Sequence, residues 1–287
     1  MLNRLLLLAL CCCTLPLHAA VTVQDDTGRS VSLSQPAARI VSLAPHITEQ
    51  LFAIGAGEKI VGAVEYSDYP EQAKAIPRVG GYSRLDLERI LALEPDLVVG
   101  WQSGNDARAI ERLQALGVTL YLSEPRRLPD IAAGMARLGV LAGVAEQAAQ
   151  QAGAFRERLD ALRRQNSDRK PVTLFYQIWN RPLMTVSGRH LINDVIALCG
   201  GRNIFAELDA LTPTVSVEAV LAADPEVIIA SGMGAERPEW LDEWQRWSQL
   251  RAVRNGQLFV IDPNIIQRAT PRLLLGAERM CRFLHSP

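Results

Sequence analysis

The sequence predicts an α/β protein of two similar lobes, each built on a central, largely parallel sheet, joined by one long rigid helix. Three observations support this prediction. Short apolar strands alternate with amphipathic helices, one segment repeats at a fixed spacing, and a stretch of strong helix formers separates the halves. A chain of 287 residues is long enough for two ordinary domains.

Composition narrows the classes of function. Apolar residues make up 48% of the chain, charged residues 21%, and the formal net charge is −1. This balance is typical of a packed globular protein and excludes a disordered or collagen-like chain. A nucleic-acid partner would need a basic surface, so the near-neutral charge argues against it.

Residues 1–20 are expected to be a signal peptide and not part of the fold. Arg4 supplies the positive start, residues 5–15 are apolar, and the region from Pro16 to Ala20 is typical of a cleavage site. The apolar stretch is too short for a resident membrane helix. We expect cleavage after Ala20 and export of the chain, with an uncleaved signal-anchor as the alternative.

Export places the mature chain in an oxidising compartment, where it keeps Cys199 and Cys281. A disulfide between them would close a loop of about eighty residues, which the chain-entropy model values at about 4 kcal/mol. The sequence therefore predicts this disulfide, with two unpaired buried thiols as the alternative.

The first lobe is predicted to cover residues 21–144. Its strands are expected at Arg39–Leu43, Ile60–Val64, Leu97–Gly100 and Val118–Leu122, and its helices at His46–Ile54, Asp86–Leu93 and Asp106–Leu116. Each strand is a short apolar run between turn residues, and Asp86 is a good N-cap for its helix.

Residues 145–167 are predicted to bridge the lobes. From Ala145 to Asn166 the chain has no proline and is rich in Ala, Gln, Arg and Glu. About twenty such residues favour one helix roughly 30 Å long, whereas a flexible linker would carry Gly, Ser or Pro. A stiff bridge predicts little lobe closure. A surface helix of a single domain is the alternative.

The second lobe is predicted to cover residues 168–287. Its strands are expected at Val172–Tyr176, Leu183–Val186, Val227–Ala230 and Leu258–Ile261, and its helices at Ser187–Leu198, Ser216–Ala223 and Pro271–Leu284. The order of elements matches that of the first lobe.

An internal repeat relates the two halves. Residues 85–101 match residues 215–231 at an offset of 130, with four of seventeen positions identical and most others similar. A second match, in the same order, joins Ala53–Gly57 to Ala197–Gly201 at an offset of 144. Both halves therefore read as Rossmann-like lobes, with chance similarity of amphipathic segments as the alternative.

Motifs for catalysis are not found. The chain has no Gly-rich phosphate loop of the Walker type and no Gly-x-Ser-x-Gly nucleophile elbow. His46, His190 and His285 are scattered singly, and each is more simply a solvated or capping residue than a metal ligand, although the three could converge. We expect no catalytic residue, no metal and no cofactor. An exported α/β enzyme is the alternative.

Aromatic and polar side chains follow the predicted strands, where α/β lobes place ligands. The candidate ligand-binding residues are Tyr66, Tyr82 and Trp101 in the first half, and Trp179, Asn264 and Arg268 in the second. Flat rings and neutral hydrogen-bonding groups suit a large ligand that carries amides. A polyanion would need a cluster of Arg and Lys, which these loops are expected to lack. For a single aromatic side chain, packing against its own lobe is the alternative.

Glu88 and Glu218 are related by the repeat, and both are expected in the first turn of a helix. A carboxylate there is stabilised by the helix dipole, which requires no function. The alternative is a pair, one residue on each lobe, that binds arginines of a symmetric partner.

Six segments carry a resemblance to a known family: Ile40–Pro45, Tyr66–Pro70, Leu87–Ile90, Pro95–Val98, Cys199–Gly201 and Arg268–Arg272. Over about residues 37–285, the chain resembles the two-lobed, helix-bridged class III periplasmic binding proteins. That family carries siderophores, haem and cobalamin. Tyr66–Pro70 and the cysteine placement are more particular to its cobalamin branch.

The resemblance implies a periplasmic, non-enzymatic and monomeric receptor. It would bind cobalamin (vitamin B12) or a related corrinoid between its lobes and deliver it to the permease dimer of an ABC transporter that has ATPase subunits. The alternative ligand is a ferric siderophore or haem.

Individual roles are implied by the same resemblance. Tyr66 matches a ring-contacting tyrosine, Tyr82 stands in place of a tryptophan, and Arg268 matches a pocket arginine. Glu88 and Glu218 match the two glutamates that dock onto permease arginines, and Cys199 and Cys281 match a disulfide. The sequence departs from the pattern at Thr212, where tryptophan is expected, and at Asn264, where aspartate is expected. Val21–Pro36 resembles a strand pair commoner in siderophore binders.

Overall fold

The computed structural model describes residues 20–232 and 238–285. The predicted signal peptide therefore lies outside the described residues, apart from Ala20. Within the described ranges, no helix has the length and apolar character needed to cross a bilayer.

The N-terminal half contains a parallel sheet of four strands in the order β4-β3-β7-β8. Its elements are β1 (Val21–Gln24), β2 (Ser30–Leu33), β3 (Ile40–Ser42), α1 (Pro45–Ala53), β4 (Ile60–Ala63), β5 (Gly80–Gly81), β6 (Arg84–Leu85), α2 (Leu87–Ala92), β7 (Leu97–Trp101), α3 (Ala107–Ala115), β8 (Leu120–Ser123) and α4 (Leu128–Leu141). Strands β1 and β2 form the predicted N-terminal pair, antiparallel and apart from the main sheet.

Helix α5 (Ala145–Asn166) is the predicted long helix, and its 22 residues span about 33 Å. Its buried residues, Ala148, Ala152, Phe155, Leu159 and Leu162, recur at helical spacing and form one apolar stripe. The stripe packs against α4, where Gly139 permits a close approach, because a Cβ there would lie 2.2 Å from the Cβ of Ala148.

The C-terminal half contains a second parallel sheet of four strands, in the order β12-β9-β13-β14. Its elements are β9 (Val172–Gln177), β10 (Trp179–Asn180), β11 (Leu183–Met184), α6 (Leu191–Leu198), β12 (Gly201–Asn203), α7 (Val217–Ala223), β13 (Val227–Ala230), α8 (Arg251–Arg254), β14 (Leu258–Val260), α9 (Pro263–Ile266) and α10 (Leu273–Leu284).

The internal repeat occupies equivalent places in the two halves. Helix α2 and strand β7 come from the first copy, and helix α7 and strand β13 come from the second. In the first sheet the repeated strand β7 lies between β3 and β8. In the second sheet the repeated strand β13 lies between β9 and β14, which are the corresponding strands. The predicted fold of two similar α/β lobes is confirmed.

One predicted strand is wrong, and one strand of the second sheet was not predicted. Leu183–Val186 was expected to be a strand of the second sheet, but only Leu183–Met184 is extended, and it pairs antiparallel with β10 in a hairpin. The fourth strand of that sheet is β12, whose sequence Gly-Arg-Asn has little strand propensity and is held by parallel pairing with β9.

The cores of the halves are continuous through the long helix. One buried apolar cluster includes Ile47 of α1, Leu138 of α4, Leu159 of α5 and Met280 of α10. The predicted disulfide joins Cys199, at the end of α6, to Cys281 in α10. The alternative of two free thiols is therefore wrong.

Candidate ligand-binding site

One cavity is lined by residues from both halves of the chain. The N-terminal half contributes His46, Trp101 and Arg126, and the C-terminal half contributes Arg189, His190 and Gln267. Trp101 ends strand β7, and Arg126 follows the end of β8. The cavity therefore lies at the carboxyl ends of parallel strands, where α/β lobes place ligands.

Two of the predicted aromatic residues lie side by side. The rings of Tyr82 and Trp101 have centroids 5.9 Å apart, and the ring of His46 stands edge-on to Trp101 at 5.2 Å. Tyr82 is 41% exposed, while Trp101 is half-buried. Tyr82 and Trp101 form an aromatic wall that a flat ligand could contact, and the buried His46 packs against it.

Asn105 holds this wall from behind. Its Oδ1 accepts a hydrogen bond from the Trp101 amide at 2.7 Å, and its Nδ2 donates to the carbonyls of Tyr82 at 2.6 Å and Leu43 at 2.8 Å. Gly104 lies so close to the indole that a Cβ would clash with it at 2.0 Å. Asn105 is itself buried, so its side chain positions the backbone of the wall.

His46 and His190, which the sequence left as scattered residues, line the same cavity. They are 144 positions apart, the offset of the second repeat match. Burial, with Arg268 nearby, lowers the pKa of His46 to about 4. Burial, with Arg126 nearby, lowers the pKa of His190 to about 4. Both imidazoles are therefore neutral at pH 7.

The histidines have different hydrogen bonds. His190 caps α6, because its Nδ1 accepts from the Ile192 amide at 3.1 Å. The Nε2 atom of His46 is buried without a partner. His285 lies elsewhere, with its Nε2 atom 2.7 Å from the Cys199 carbonyl. Among the described residues, no group of three or more His, Cys, Asp and Glu side chains is placed to hold a metal.

The loops after the strands were expected to lack a cluster of Arg and Lys, yet two arginines lie at this cavity. Arg126 and Arg189 both line it. Arg126 pairs with Glu124, which also lines the cavity, at 3.1 Å, so part of the positive charge is neutralised. The reading of the sequence considered aromatic and amide residues after each strand and missed these arginines, although they also follow strands or precede helices.

Arg268 and Tyr66 meet across the boundary between the halves. The Nη2 atom of Arg268 donates to the Tyr66 carbonyl at 3.2 Å, and its Nη1 atom pairs with Asp68 at 2.7 Å. The Arg268 side chain is only 13% exposed, whereas Tyr66 is 67% exposed. The tyrosine ring is therefore available for contact, while Nη1 and Nη2 of the arginine each use one N–H group on Asp68 or Tyr66 and keep a second.

A second arginine of the same segment also crosses between the halves. The Nε atom of Arg272 donates to Oε1 of Glu49 at 2.7 Å, and its Nη2 atom donates to Oε2 of the same carboxylate at 2.6 Å. The Arg272 guanidinium lies 3.5 Å from the ring centroid of Tyr69. Since Glu49 is only 2% exposed, this ion pair is largely sheltered from water and links α1 to the start of α10.

The other predicted ligand residues lie on the C-terminal half. Trp179 is 37% exposed and donates from Nε1 to the Arg181 carbonyl at 3.0 Å. Asn264 lies on α9, and its backbone N–H donates to the Asp262 carboxylate at 2.9 Å. Neither Trp179 nor Asn264 is among the residues that line the cavity between the halves. Thr212 is exposed.

Glu88 and Glu218 occupy matching exposed positions in the first turns of α2 and α7. Asp86 caps α2 through the Arg89 amide at 3.0 Å, and Ser216 caps α7 through the Ala219 amide at 3.2 Å. Hydrogen bonds from its own amide and from Ser216 lower the pKa of Glu218 below its usual value. The pair therefore offers one carboxylate on each half.

Comparison with known proteins defines the class first. The family model described as periplasmic binding protein matches residues 40–265. With that match spread over both sheets and the helix between them, the chain belongs to the periplasmic binding protein family. Its members are binding proteins and not enzymes, so the exported-enzyme alternative is not supported.

Particular relatives are similar along nearly the whole chain. The vitamin B12-binding protein of Vibrio cholerae is 39% identical over 249 residues, covering 87% of this chain and 90% of the relative. The crystal structure of the periplasmic vitamin B12 binding protein of Vibrio cholerae matches with a TM-score of 0.80 at 38% identity, covering 87% of this chain and 97% of that one. A periplasmic haem-binding protein of Pseudomonas aeruginosa matches with a TM-score of 0.76 at 25% identity, covering 87% and 94%.

Proposed function

We propose that this protein captures cobalamin or a related corrinoid between its two lobes and delivers it to the permease of an ABC importer. The observation that carries the proposal is the similarity, at 39% identity over 87% of the chain, to a vitamin B12-binding protein. The exposed aromatic faces beside a cavity lined from both halves are consistent with a large flat ligand.

The proposed contacts divide by chemistry. Tyr66, Tyr82, Trp101 and Trp179 would offer flat apolar faces to the corrin ring, and Arg268 and Asn264 would hydrogen-bond its carboxamides. Burying several hundred Å² of ligand surface, at about 25 cal/mol per Å², offsets the cost of association. The ligand is cargo, and the protein needs no resident cofactor.

Haem is the second candidate ligand. It is favoured by the neutral imidazole of His46, whose Nε2 atom has no partner, since imidazole is a common axial ligand of haem iron. The 25% identity to a haem-binding protein gives weaker support than the similarity to vitamin B12-binding proteins. A ferric siderophore would use Arg126 and Arg189, but Glu124 pairs with Arg126 and neutralises part of that charge.

Glu88 and Glu218 would dock the protein onto the permease. Exposed carboxylates at repeat-related positions suit a partner that has two copies of one arginine-containing surface. The proposed partner is a permease dimer with its ATPase subunits, and the binding protein would act as a monomer.

The remaining assignments belong to the same proposal. Residues 1–20 would direct the chain to the periplasm and be cleaved. The mature protein would then consist of lobes at 21–144 and 168–287, with 145–167 as the bridge. The continuous apolar cluster through α5 is consistent with a bridge that packs on both lobes.

Competition between ligands tests the proposal. The purified mature protein is mixed with equal amounts of cyanocobalamin and haemin, separated from free ligand by gel filtration, and examined by absorbance and mass spectrometry. We expect a red protein with about one corrinoid per chain. If the protein retains haemin alone, the ligand is haem and not cobalamin. If it retains neither, the proposed ligand class is wrong.

A further inference from the structure

Tyr66 lies on a backbone conformation that needs external support. Its φ is +63°, in the left-handed region that L-residues other than Asn and Asp rarely adopt. Such a conformation persists only where neighbouring groups hold it. Because the ring is 67% exposed, packing around the side chain is not sufficient to hold it.

The residue that follows is anchored within the N-terminal half. Ser67 is fully buried, its Oγ atom accepts a hydrogen bond from Thr48 at 3.1 Å, and its carbonyl accepts one from Arg78 at 2.9 Å. The Ser67 amide also donates to the Val64 carbonyl at 3.3 Å, which closes a turn around Tyr66. These contacts fix the chain on either side of Tyr66 but do not hold the Tyr66 carbonyl itself.

The Tyr66 carbonyl is held from the other half of the molecule. Arg268 donates to it at 3.2 Å, and Asp68 pairs with the same guanidinium at 2.7 Å. Glu49 is the next carboxylate, at 3.9 Å, but it is committed to Arg272 at 2.6 Å. Asp68 is therefore the carboxylate that directs the guanidinium toward Tyr66.

We propose that Asp68 is a positioning residue, which orients Arg268 so that the arginine of one lobe holds the ligand-facing Tyr66 of the other in its binding conformation. This inference rests on the proposed function, because it assigns Tyr66 to the corrinoid site. Asp68 acts through Arg268 and Tyr66 and is not itself a ligand contact. Without it, Tyr66 would populate other conformations, and only a fraction of the molecules would be ready to bind.

A smaller fraction of molecules with Tyr66 in its binding conformation should be visible in the binding kinetics. The apparent Kd rises by the inverse of the competent fraction, and the loss appears in the association rate, whereas removal of a direct contact changes mainly the dissociation rate. We expect Asp68→Asn to raise the Kd for cyanocobalamin about tenfold, through slower association. Glu71→Gln is the matched control, since Glu71 is a carboxylate on the same segment that pairs with Lys74 instead.

A double-mutant cycle tests the route through Tyr66. Binding of cyanocobalamin is measured by stopped-flow fluorescence and calorimetry for the wild type, Asp68→Asn, Tyr66→Ala and the double variant. If Asp68 acts mainly through Tyr66, Asp68→Asn should change affinity by a much smaller factor once the ring is gone than it does in the wild-type background. Asp68 is 47% exposed, and melting temperatures close to that of the wild type will show that the variants fold.

Three results would overturn the inference. They are a Kd of Asp68→Asn equal to that of Glu71→Gln, the same fold-loss from Asp68→Asn with and without the Tyr66 ring, or a loss that lies in the dissociation rate. A wild-type protein that does not bind cyanocobalamin would instead overturn the proposed function, and the positioning role with it.

Discussion

The two lobes share one sheet plan but present different side chains to the cleft. Their strand orders, β4-β3-β7-β8 and β12-β9-β13-β14, are equivalent. The docking candidates Glu88 and Glu218 also correspond, at an offset of 130 residues, as do the cavity histidines at 144. In contrast, the same offset of 130 places Thr212 opposite Tyr82, so the aromatic wall is found on the N-terminal lobe.

This difference separates two kinds of constraint. Positions that support the sheet, or that would meet a symmetric partner, are alike in both halves. Among the positions that would meet one asymmetric ligand, the aromatic residues are not alike, although the two buried cavity histidines are. A duplicated scaffold can therefore keep a symmetric outer surface while its inner surface becomes specific for one molecule.

The largest expected effect tests the symmetric part of the comparison. Glu88→Ala combined with Glu218→Ala should reduce ligand uptake by cells at least a hundredfold, because both lobes lose their charge-assisted contacts. Cyanocobalamin affinity of the purified variant should be unchanged. The control is Glu157→Ala, which removes an exposed carboxylate from α5. Normal uptake by the double variant would contradict the docking role.

The next effect concerns the disulfide of the C-terminal lobe. Cys199→Ala with Cys281→Ala opens a loop of 82 residues and should lower the free energy of unfolding by about 2–5 kcal/mol. Urea denaturation, with and without reductant, measures this loss. Reductant should destabilise the wild type and leave the double variant unaffected. If the two proteins unfold at the same urea concentration, the disulfide does not stabilise the lobe.

The two cavity histidines, His46 and His190, predict that the stability of the protein depends on pH. In the folded protein burial lowers the pKa of each to about 4, whereas in the unfolded chain it is about 6.5. Between these values the unfolded state binds more protons, so stability is full above about pH 6.5 and falls as the pH decreases toward 4.

Each histidine should make the free energy of unfolding fall by up to about 1.4 kcal/mol for each pH unit below its unfolded pKa. His46→Gln should remove this contribution of His46, and His190→Gln should remove that of His190. Urea denaturation from pH 4.5 to 7 checks both variants. Slopes equal to that of the wild type would show that neither imidazole is held neutral.

The smallest effect tests the asymmetric part. Tyr82→Ala should weaken cyanocobalamin binding five- to tenfold, because a stacked ring contributes about 1 kcal/mol. Thr212→Ala, at the repeat-related position, should change affinity less than twofold. Titration calorimetry compares the two. Equal losses would mean that ligand contacts are distributed symmetrically over both lobes, which would contradict the asymmetry of the cleft.

Much of the fold was predictable because the repeated segments join a capped helix to a buried apolar strand, a pattern that local sequence specifies. Helix α4 was missed, since Gly134 and Gly139 lower its helix propensity and burial on several sides blurs its periodicity. Strand β12 was missed because pairing with β9, not its own residues, makes Gly201–Asn203 extended.

The site was predictable only in part. Tyr82 and Trp101 follow the rule that ligands bind after parallel strands, and the structure places them in contact. Arg126 and His190 became visible as cavity residues only when the halves were brought together. Sequence spacing cannot show that Arg268 reaches Asp68, because these residues are 200 positions apart and meet through tertiary packing.

Calorimetric titration of the mature protein with cyanocobalamin tests the central claim most directly. We predict saturable binding of one ligand per chain, weakened by Tyr66→Ala and by Tyr82→Ala. The absence of binding heat, or affinity unchanged in both variants, would contradict a corrinoid site between the lobes.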